Sequence, residues 1–516
     1  MSDNNAMKSK RIYWASGIVS ICGIIFEVLF GALGSYILGD GVKQYTLTIS
    51  LFLTGMGIGS FLSERVMKKL VQAFIIIEFS VAFIGGFSAF LLFGVTAYLG
   101  SGSDAIFLYT TILVVGTLTG LELPILIRKA NEIGVQINKS TARVLFSDYA
   151  GGLIGGLLFI YLFRPQFGLV KTAFLVAIIN IIVALWVLYT FRKEITHLKM
   201  FSVIGGGLFI LLLGGAMYGE EMAFSFEQKL YSDPIIYTEE TKYQRIILTK
   251  EQGDLRLYLD GQLQFSSSDE YRYHETLVHI PMSLAERREN ILVLGGGDGL
   301  ALREIEKYED PKNITLVDLD PRMVELAKNN PQLAKLNENA FENKKVNVVH
   351  KDAFDFMEEA DGFYDVILVD LPDPNNETLN KLYTLEFYSL LRNHLNPGGM
   401  IMVQSTSPVF ATEVYWTIDH TIGETGMNTE NFHLDIPSFG NWGFVLASRN
   451  PIDISKININ VETQYLSTEL IPSLTKFGKD EDGTITKDDG QKVELKPNTL
   501  IRPNIIEKYE KAWRDY

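Results

Sequence analysis

The sequence predicts a multi-span α-helical membrane domain followed by an α/β domain built on an open parallel sheet. Three observations carry this. From Tyr13 to about Gly219 the chain is a series of long apolar runs. Further on, Ile291 to Gly299 reads ILVLGGGDG, an apolar strand that breaks into glycines and an aspartate before the helical pattern LALREIEKY. Three more apolar strands follow, each tipped by aspartate. At 516 residues the chain is too long for one ordinary domain.

The apolar runs are Tyr13–Leu38, Tyr45–Leu62, Leu70–Tyr98, Ala105–Ile127, Val144–Phe163, Val170–Phe191 and Phe201–Tyr218. Each is long enough to cross a bilayer as a helix. A cleaved signal peptide would explain the first run alone, and that run is too long for one. The count is therefore about seven helices, and the location is a cell membrane, with several passes. Basic residues mark alternate loops: Lys8, Lys10 and Arg11; Arg65, Lys68 and Lys69; Arg128, Lys129, Lys139 and Arg143; Arg192, Lys193 and Lys199. The intervening loops hold only Lys43, Arg164 and Lys171. This asymmetry puts the N-terminus in the cytoplasm. Seven crossings then put the α/β part outside, unless one run is re-entrant. Gly151 with Gly155, and Gly152 with Gly156, have the small-xxx-small spacing of close helix packing, read here as packing within one bundle. Glu27, Glu78, Glu122 and Asp148 fall inside the runs, where acids are costly unless they face the bundle interior, a water-filled cavity or a partner.

Composition narrows the partners. The formal net charge is −15, from 46 basic and 61 acidic residues. That argues against nucleic acid and suits cationic ligands. The single cysteine, Cys22, lies in an apolar run, so neither a disulfide framework nor a cysteine metal cluster is expected.

In the α/β part, glycines after the first strand let the backbone turn sharply and let a ligand approach the main chain. Asp298 stands where a phosphate would sit in a phosphate-cradling loop, so the ligand there is expected to be uncharged or cationic. Asn313–Asp320 (NITLVDLD) is a second strand, and Asp318 or Asp320 at its tip suits ribose hydroxyls. Val346–Phe356 carries Asp352, and Tyr364–Pro374 (YDVILVDLPDP) carries Asp370 and Asp373. Each acid alone reads as well as a helix cap or a solvated turn. Four successive strand ends with acids point instead to a shared site at the C-terminal edge of the sheet.

These stretches, together with LDGQLQFSSSDEYRYHETLVHIPM (Leu259–Met282), LYTLEFY (Leu382–Tyr388) and LNPGGMIMVQ (Leu395–Gln404), resemble the polyamine aminopropyltransferases, spermidine synthase in particular. The resemblance covers about the last 290 residues. It implies a small N-terminal β-domain and a Rossmann-like, methyltransferase-type open sheet. The expected divisions are 1–220 membrane, 221–290 β-domain and linking helix, 291–450 catalytic and 451–516 C-terminal extension. The implied reaction moves the aminopropyl group of decarboxylated S-adenosylmethionine to putrescine, giving spermidine and methylthioadenosine. The donor is a substrate, so no cofactor and no metal are expected. By resemblance, Asp370 is the catalytic base. Gln244, Asp318, Asp352 and the backbone of Ala353 hold the donor, and His274, Asp298 and Asp373 hold the amines. A homo-oligomer, dimer or tetramer, is likewise implied.

Other segments complete the reading. Pro234–Tyr258 alternates in the manner of hairpin strands. Gln262 and Gln264 lie near the site segment. Asp435–Ser448 is similar to the family's late strand hairpin. Lys479–Lys492 has the DxDG opening of a calcium loop but not the rest of its spacing. Two departures stand out: Leu371 and Pro372 between the two aspartates, where the family has small hydroxyl or thiol residues, and Phe439 where it commonly has tyrosine. Two other functions fit parts of the chain. One is a membrane-tethered S-adenosylmethionine methyltransferase, although the carboxylate of that donor would be repelled by Asp298. The other is a polyamine transporter or sensor with a synthase-like binding domain, which retention of Asp370 and Asp373 disfavours.

Overall fold

The computed structural model describes residues 3–39, 41–99, 102–484 and 494–514, without the side chains of 3–6 and 514. Residues 485–493 lie outside the described residues, and with them 485–492 of the DxDG segment. The chain divides into two compact units, Met1–Ser232 and Asp233–Tyr516.

The first unit is helical: α1 Asp3–Leu38, α2 Gly41–Leu62, α3 Leu70–Leu99, α4 Ser103–Glu132, α5 Ile137–Leu158, α6 Arg164–Thr190 and α7 Leu198–Glu227. By length and composition, six continuous helical runs among the described residues can cross a membrane. One of them, Ile137–Thr190, has 54 residues, far more than the roughly 20 that one crossing needs. It contains a π turn at Phe159–Phe163 and breaks at Gly168, whose φ of 62° and ψ of −169° no helix contains. The run is thus two antiparallel segments, α5 and α6. The unit ends later than residue 220 because α7 continues through Glu227, which accepts a hydrogen bond from Tyr36 at the end of α1 (2.6 Å). At the opposite end of the bundle, Lys8 of α1 and Lys129 of α4 both pair with Glu194, which follows α6. The N-terminus and the end of α7 therefore lie at opposite ends.

Glycines set the closest helix contacts, all within the chain. A Cβ on Gly59 of α2 would stand 2.0 Å from the Thr117 carbonyl oxygen of α4, and one on Gly120 of α4 would stand 2.2 Å from that of Met56. A Cβ on Gly151 or Gly155 of α5 would meet the Gly17 or Ile21 carbonyl of α1 at 2.3 and 2.6 Å. Large apolar side chains point outward instead: Trp14 is 70%, Phe146 75% and Tyr161 76% exposed. Inside, buried Glu78 of α3 and Glu122 of α4 lie within reach of each other, with Cys22 of α1 and Asp148 of α5 nearby. Glu27 lies further along α1 and is half-buried.

The second unit opens with a four-stranded antiparallel sheet in sequential order: β1 Ile235–Glu240, β2 Arg245–Glu251, β3 Asp254–Leu259 and β4 Gln262–Ser266. Helix α8, Glu270–Leu284, follows. The main sheet has seven strands: β5 Asn290–Gly295, β6 Asn313–Asp318, β7 Val346–His350, β8 Tyr364–Asp370, β9 Leu395–Gln404, β10 Asn428–Ile436 and β11 Gly440–Ser448. Their order is β10-β11-β9-β8-β5-β6-β7, parallel from β7 through β9, with β11 antiparallel to both neighbours. This is the Rossmann-like order of the methyltransferase type. Residues 291–294 of β5 and 366–369 of β8 are fully buried, as central parallel strands covered on both faces must be.

Substituting Gly59→Leu should push α2 off α4. The expected cost of overpacking is about 1–3 kcal/mol, read as a lower thermal midpoint of the detergent-solubilised protein. An unchanged midpoint would show that this contact is loose.

Candidate active site

The sheet order reverses between β5 and β8, which leaves a crevice beyond their C-terminal ends. Gly295 pairs there with Asp370. Gly295 has a φ of 84°, and a Cβ on it would lie 1.9 Å from the Asp370 carbonyl oxygen. A Cβ on Gly297 would lie 2.5 Å from Oδ2 of Asp318. The glycines therefore let three strand ends converge. Asp298 comes next, with its carboxylate accepting from the Leu300 N–H at 2.9 Å, at the start of helix α9, Leu300–Ile305.

Asp298, Asp318, Asp370 and Asp373 are half-buried. Burial raises Asp298 to about 6 against the nearby His274 charge, and raises Asp318 to about 7. Asp370 and Asp373 are raised by burial as well. His274 is buried in α8 and its Nδ1 meets a Glu270 carboxylate oxygen at 2.8 Å. Burial pulls His274 down, but Glu270, Asp298 and Asp370 outweigh it and hold it at about 9. Glu270 in turn pairs with Arg303 at 2.7 and 3.0 Å, Arg303 with Glu304 at 2.9 Å, and Glu304 with His279 at 2.8 Å. A chain of paired buried charges thus fixes a cationic His274 beside Asp298 and Asp370.

The structure brings Asp298, Asp318, Asp370 and His274 within electrostatic reach of one another. Asp373 joins through Tyr273, which also feels Asp370. Asp318 and Asp320 differ in their local partners. Asp320 caps helix α10, Pro321–Asn329, and also accepts from Thr241 (2.7 Å) and Gln244 (3.1 Å). Asp318 keeps its face toward the glycine loop. Gln244 therefore stands at the edge of the site, bonded to Asp320. Asp352 caps the Ala353–Glu359 helix and pairs with Lys381 at 2.7 Å, so its carboxylate has the cap role that any of these acids can have. Ala353 is buried beside it. Gln264 donates to the Gln262 carbonyl at 3.2 Å. Glu275, next to His274, is structural: its oxygens accept from the backbone N–H groups of Gln464, Tyr465 and Leu466.

Sequence reasoning missed three residues. The Tyr273 hydroxyl donates to Oδ1 of Asp370 at 2.6 Å, and its ring approaches Phe439 at 6.4 Å. Gln404, at the end of β9, donates to Oδ1 of Asp373 (3.2 Å) and to the Tyr383 hydroxyl (2.7 Å). Tyr509 of the C-terminal helix donates to Oδ2 of Asp373 at 3.0 Å. Tyr273 adjoins His274 in the quoted motif and Gln404 closes another, so both were within reach of the motif reading. Tyr509 had no such signal.

Fold and cleft together define a methyltransferase-type transferase unit with an acid-lined ligand site. Residues 270–456 match the profile of the spermine/spermidine synthase domain. The chain is 64% identical over 516 residues, all of both chains, to the polyamine aminopropyltransferase of Oceanobacillus iheyensis. It is 39% identical over 508 residues, 97% of this chain and 98% of the other, to that of Leptospira interrogans. A crystal structure of spermidine synthase with the transition-state analogue AdoDATO aligns with a TM-score of 0.45 and 25% identity, over 49% of this chain and 89% of the other. The chain belongs to the polyamine aminopropyltransferases, the spermidine synthase family, and is a transferase of polyamine biosynthesis. In this family decarboxylated S-adenosylmethionine is a substrate, not a cofactor.

Asp298 attracts a cation only when ionised, so affinity for the cationic donor should fall as pH drops through about 6, by up to about tenfold per unit. Asp298→Asn should weaken the donor at neutral pH and flatten that profile, while methylthioadenosine, which lacks the ammonium, binds nearly as before. Calorimetric titration at several pH values reads this. Equal weakening of both ligands would reduce Asp298 to a loop-shaping residue.

Proposed function

We propose that the protein transfers the aminopropyl group of decarboxylated S-adenosylmethionine to putrescine, at the crevice between β5 and β8. The observation that carries this is the convergence of Asp298, Asp370 and Asp373 on one cleft, where carboxylates favour ligands with several ammonium groups. Asp318 takes the ribose hydroxyls, and Gln244, Asp352 and the Ala353 backbone bound the rest of the nucleoside. Asp298 holds the donor ammonium, Asp373 the distal ammonium of the acceptor, and His274 offsets part of the acidic charge. The attacking amine is protonated in water, with a pKa of roughly 10. Asp370, oriented by the Tyr273 hydroxyl, takes its proton. The freed nitrogen pair attacks the propyl carbon on the sulfonium. The carbon–sulfur bond breaks, its electrons stay on sulfur, and neutral methylthioadenosine leaves. Holding both substrates in line supplies much of the acceleration.

Asp370→Asn keeps shape and hydrogen bonding but cannot accept the proton. Turnover should fall on the order of 100-fold or more, with methylthioadenosine binding retained. Turnover close to wild type would remove Asp370 from the base role.

The helical unit is proposed to span a bilayer. Its support is the outward display of Trp14, Phe146 and Tyr161 on helices of crossing length, with the acids Glu78 and Glu122 turned inward. The domain division follows: a membrane unit, a β-sheet domain with α8, and the open-sheet catalytic domain with its C-terminal extension. The protein should stay with membranes in alkaline carbonate and leave only with detergent. Reporters at the two termini should read opposite sides, since the seven segments run alternately up and down. Release by carbonate, or both reporters on one side, would overturn the spanning or the crossing number.

A further inference from the structure

The family profile ends at residue 456, yet Asp373 is held by a residue beyond it. The Ile505–Arg514 helix is docked firmly on the catalytic unit. Ile505 is fully buried in the core, and Lys508 reaches Thr417 Oγ1 at 2.9 Å and Glu413 at 3.1 Å. Just before it, buried Asn498 donates to Asn380 and to the Tyr383 carbonyl, at 3.0 and 2.9 Å. The Tyr509 hydroxyl is therefore placed by a rigid element. Burial and neighbouring Asp373 push its pKa far up, so it stays a donor. From the other side Gln404 donates to Oδ1 of the same carboxylate.

A carboxylate offers about four lone-pair sites. Gln404 and Tyr509 occupy one on each oxygen and fix the plane of the group. Thr406 also approaches this carboxylate, and what the three partners leave free lies on its half-buried face, where an ammonium can bind. A charge-assisted hydrogen bond depends on such orientation. Trp513, one turn after Tyr509, meets Phe410 in a tilted ring contact at 5.8 Å, and Phe410 abuts Gly440 of the late hairpin that carries Phe439 and Trp442. The C-terminal helix thus braces the end of the cleft where the acceptor is placed.

We propose that Tyr509 is a positioning residue for acceptor specificity: by holding Asp373 it aims that carboxylate at the distal ammonium of a diamine. This rests on the aminopropyl-transfer reading above. The test uses full-length protein in detergent, as wild type and Tyr509→Phe. Binding of putrescine and of n-butylamine, which lacks the distal ammonium, is measured calorimetrically with saturating methylthioadenosine. The KM values of both substrates, kcat and the thermal midpoint are measured alongside. Tyr509→Phe should weaken putrescine about tenfold in both Kd and KM. Butylamine binding, donor KM and thermal midpoint should not change. Equal losses for putrescine and butylamine, or loss together with a lower midpoint, would make Tyr509 merely structural and overturn the proposal. So would unchanged putrescine binding in a variant whose parent turns over normally, which would leave the transfer reading intact. Wild-type protein that binds no diamine would overturn both.

Discussion

The approach of Gly295 to the Asp370 carbonyl is the contact on which the catalytic unit depends. No side chain fits there, because a Cβ would lie 1.9 Å from that oxygen, and the φ of 84° excludes most other residues in any case. The contact lies where the strand order reverses, so it brings the ends of two strands together where the helices on either side part. Everything in the site hangs from it. Asp298 leaves the β5 side of the crevice, Asp370 and Asp373 leave the β8 side, and Asp318 reaches the same loop across Gly297.

Around that point the charges divide into two kinds. Glu270, Arg303 and Glu304 are buried and paired, which is the condition on which buried charges are tolerated, and His279 hydrogen-bonds Glu304. They tie α8 to α9 and hold His274 in place. The cleft acids are different. They keep a face to solvent and receive neutral donors such as Tyr273, Gln404 and Tyr509. Neutral donors orient a carboxylate without cancelling its charge, and the cationic His274 offsets only part of the acidic charge, so the cleft keeps its attraction for cations. In the helical unit, backbone contacts through glycine bring the helices close and aromatic side chains cover the outside.

Leu371 and Pro372, which depart from the family pattern, also fit this logic. Their carbonyls accept from the Tyr383 hydroxyl at 3.2 and 3.0 Å, and Gln404 donates to that of Leu371. The loop between the two aspartates is held through its main chain.

The sequence by itself determined the elements and their chemistry: the apolar runs of the helical unit, the four strand ends with acids, the glycine turn and the family segments around them. These are local patterns, in which burial of a face or an edge is written as periodicity in neighbouring residues. The tertiary structure decided what depends on distant neighbours. It set β8 beside β5, which places Asp370 opposite the glycine loop. It left Asp318 half-buried against the glycine loop, accepting from the Asp320 N–H, and put the Asp320 side chain on a helix cap, although the two stand two residues apart. It capped the Ala353–Glu359 helix with Asp352 and set Lys381 beside that acid, ended the helical unit at Ser232, and brought Tyr509 back over more than a hundred residues to Asp373. Periodicity records whether a side chain is buried; only the packed chain determines which group it is buried against.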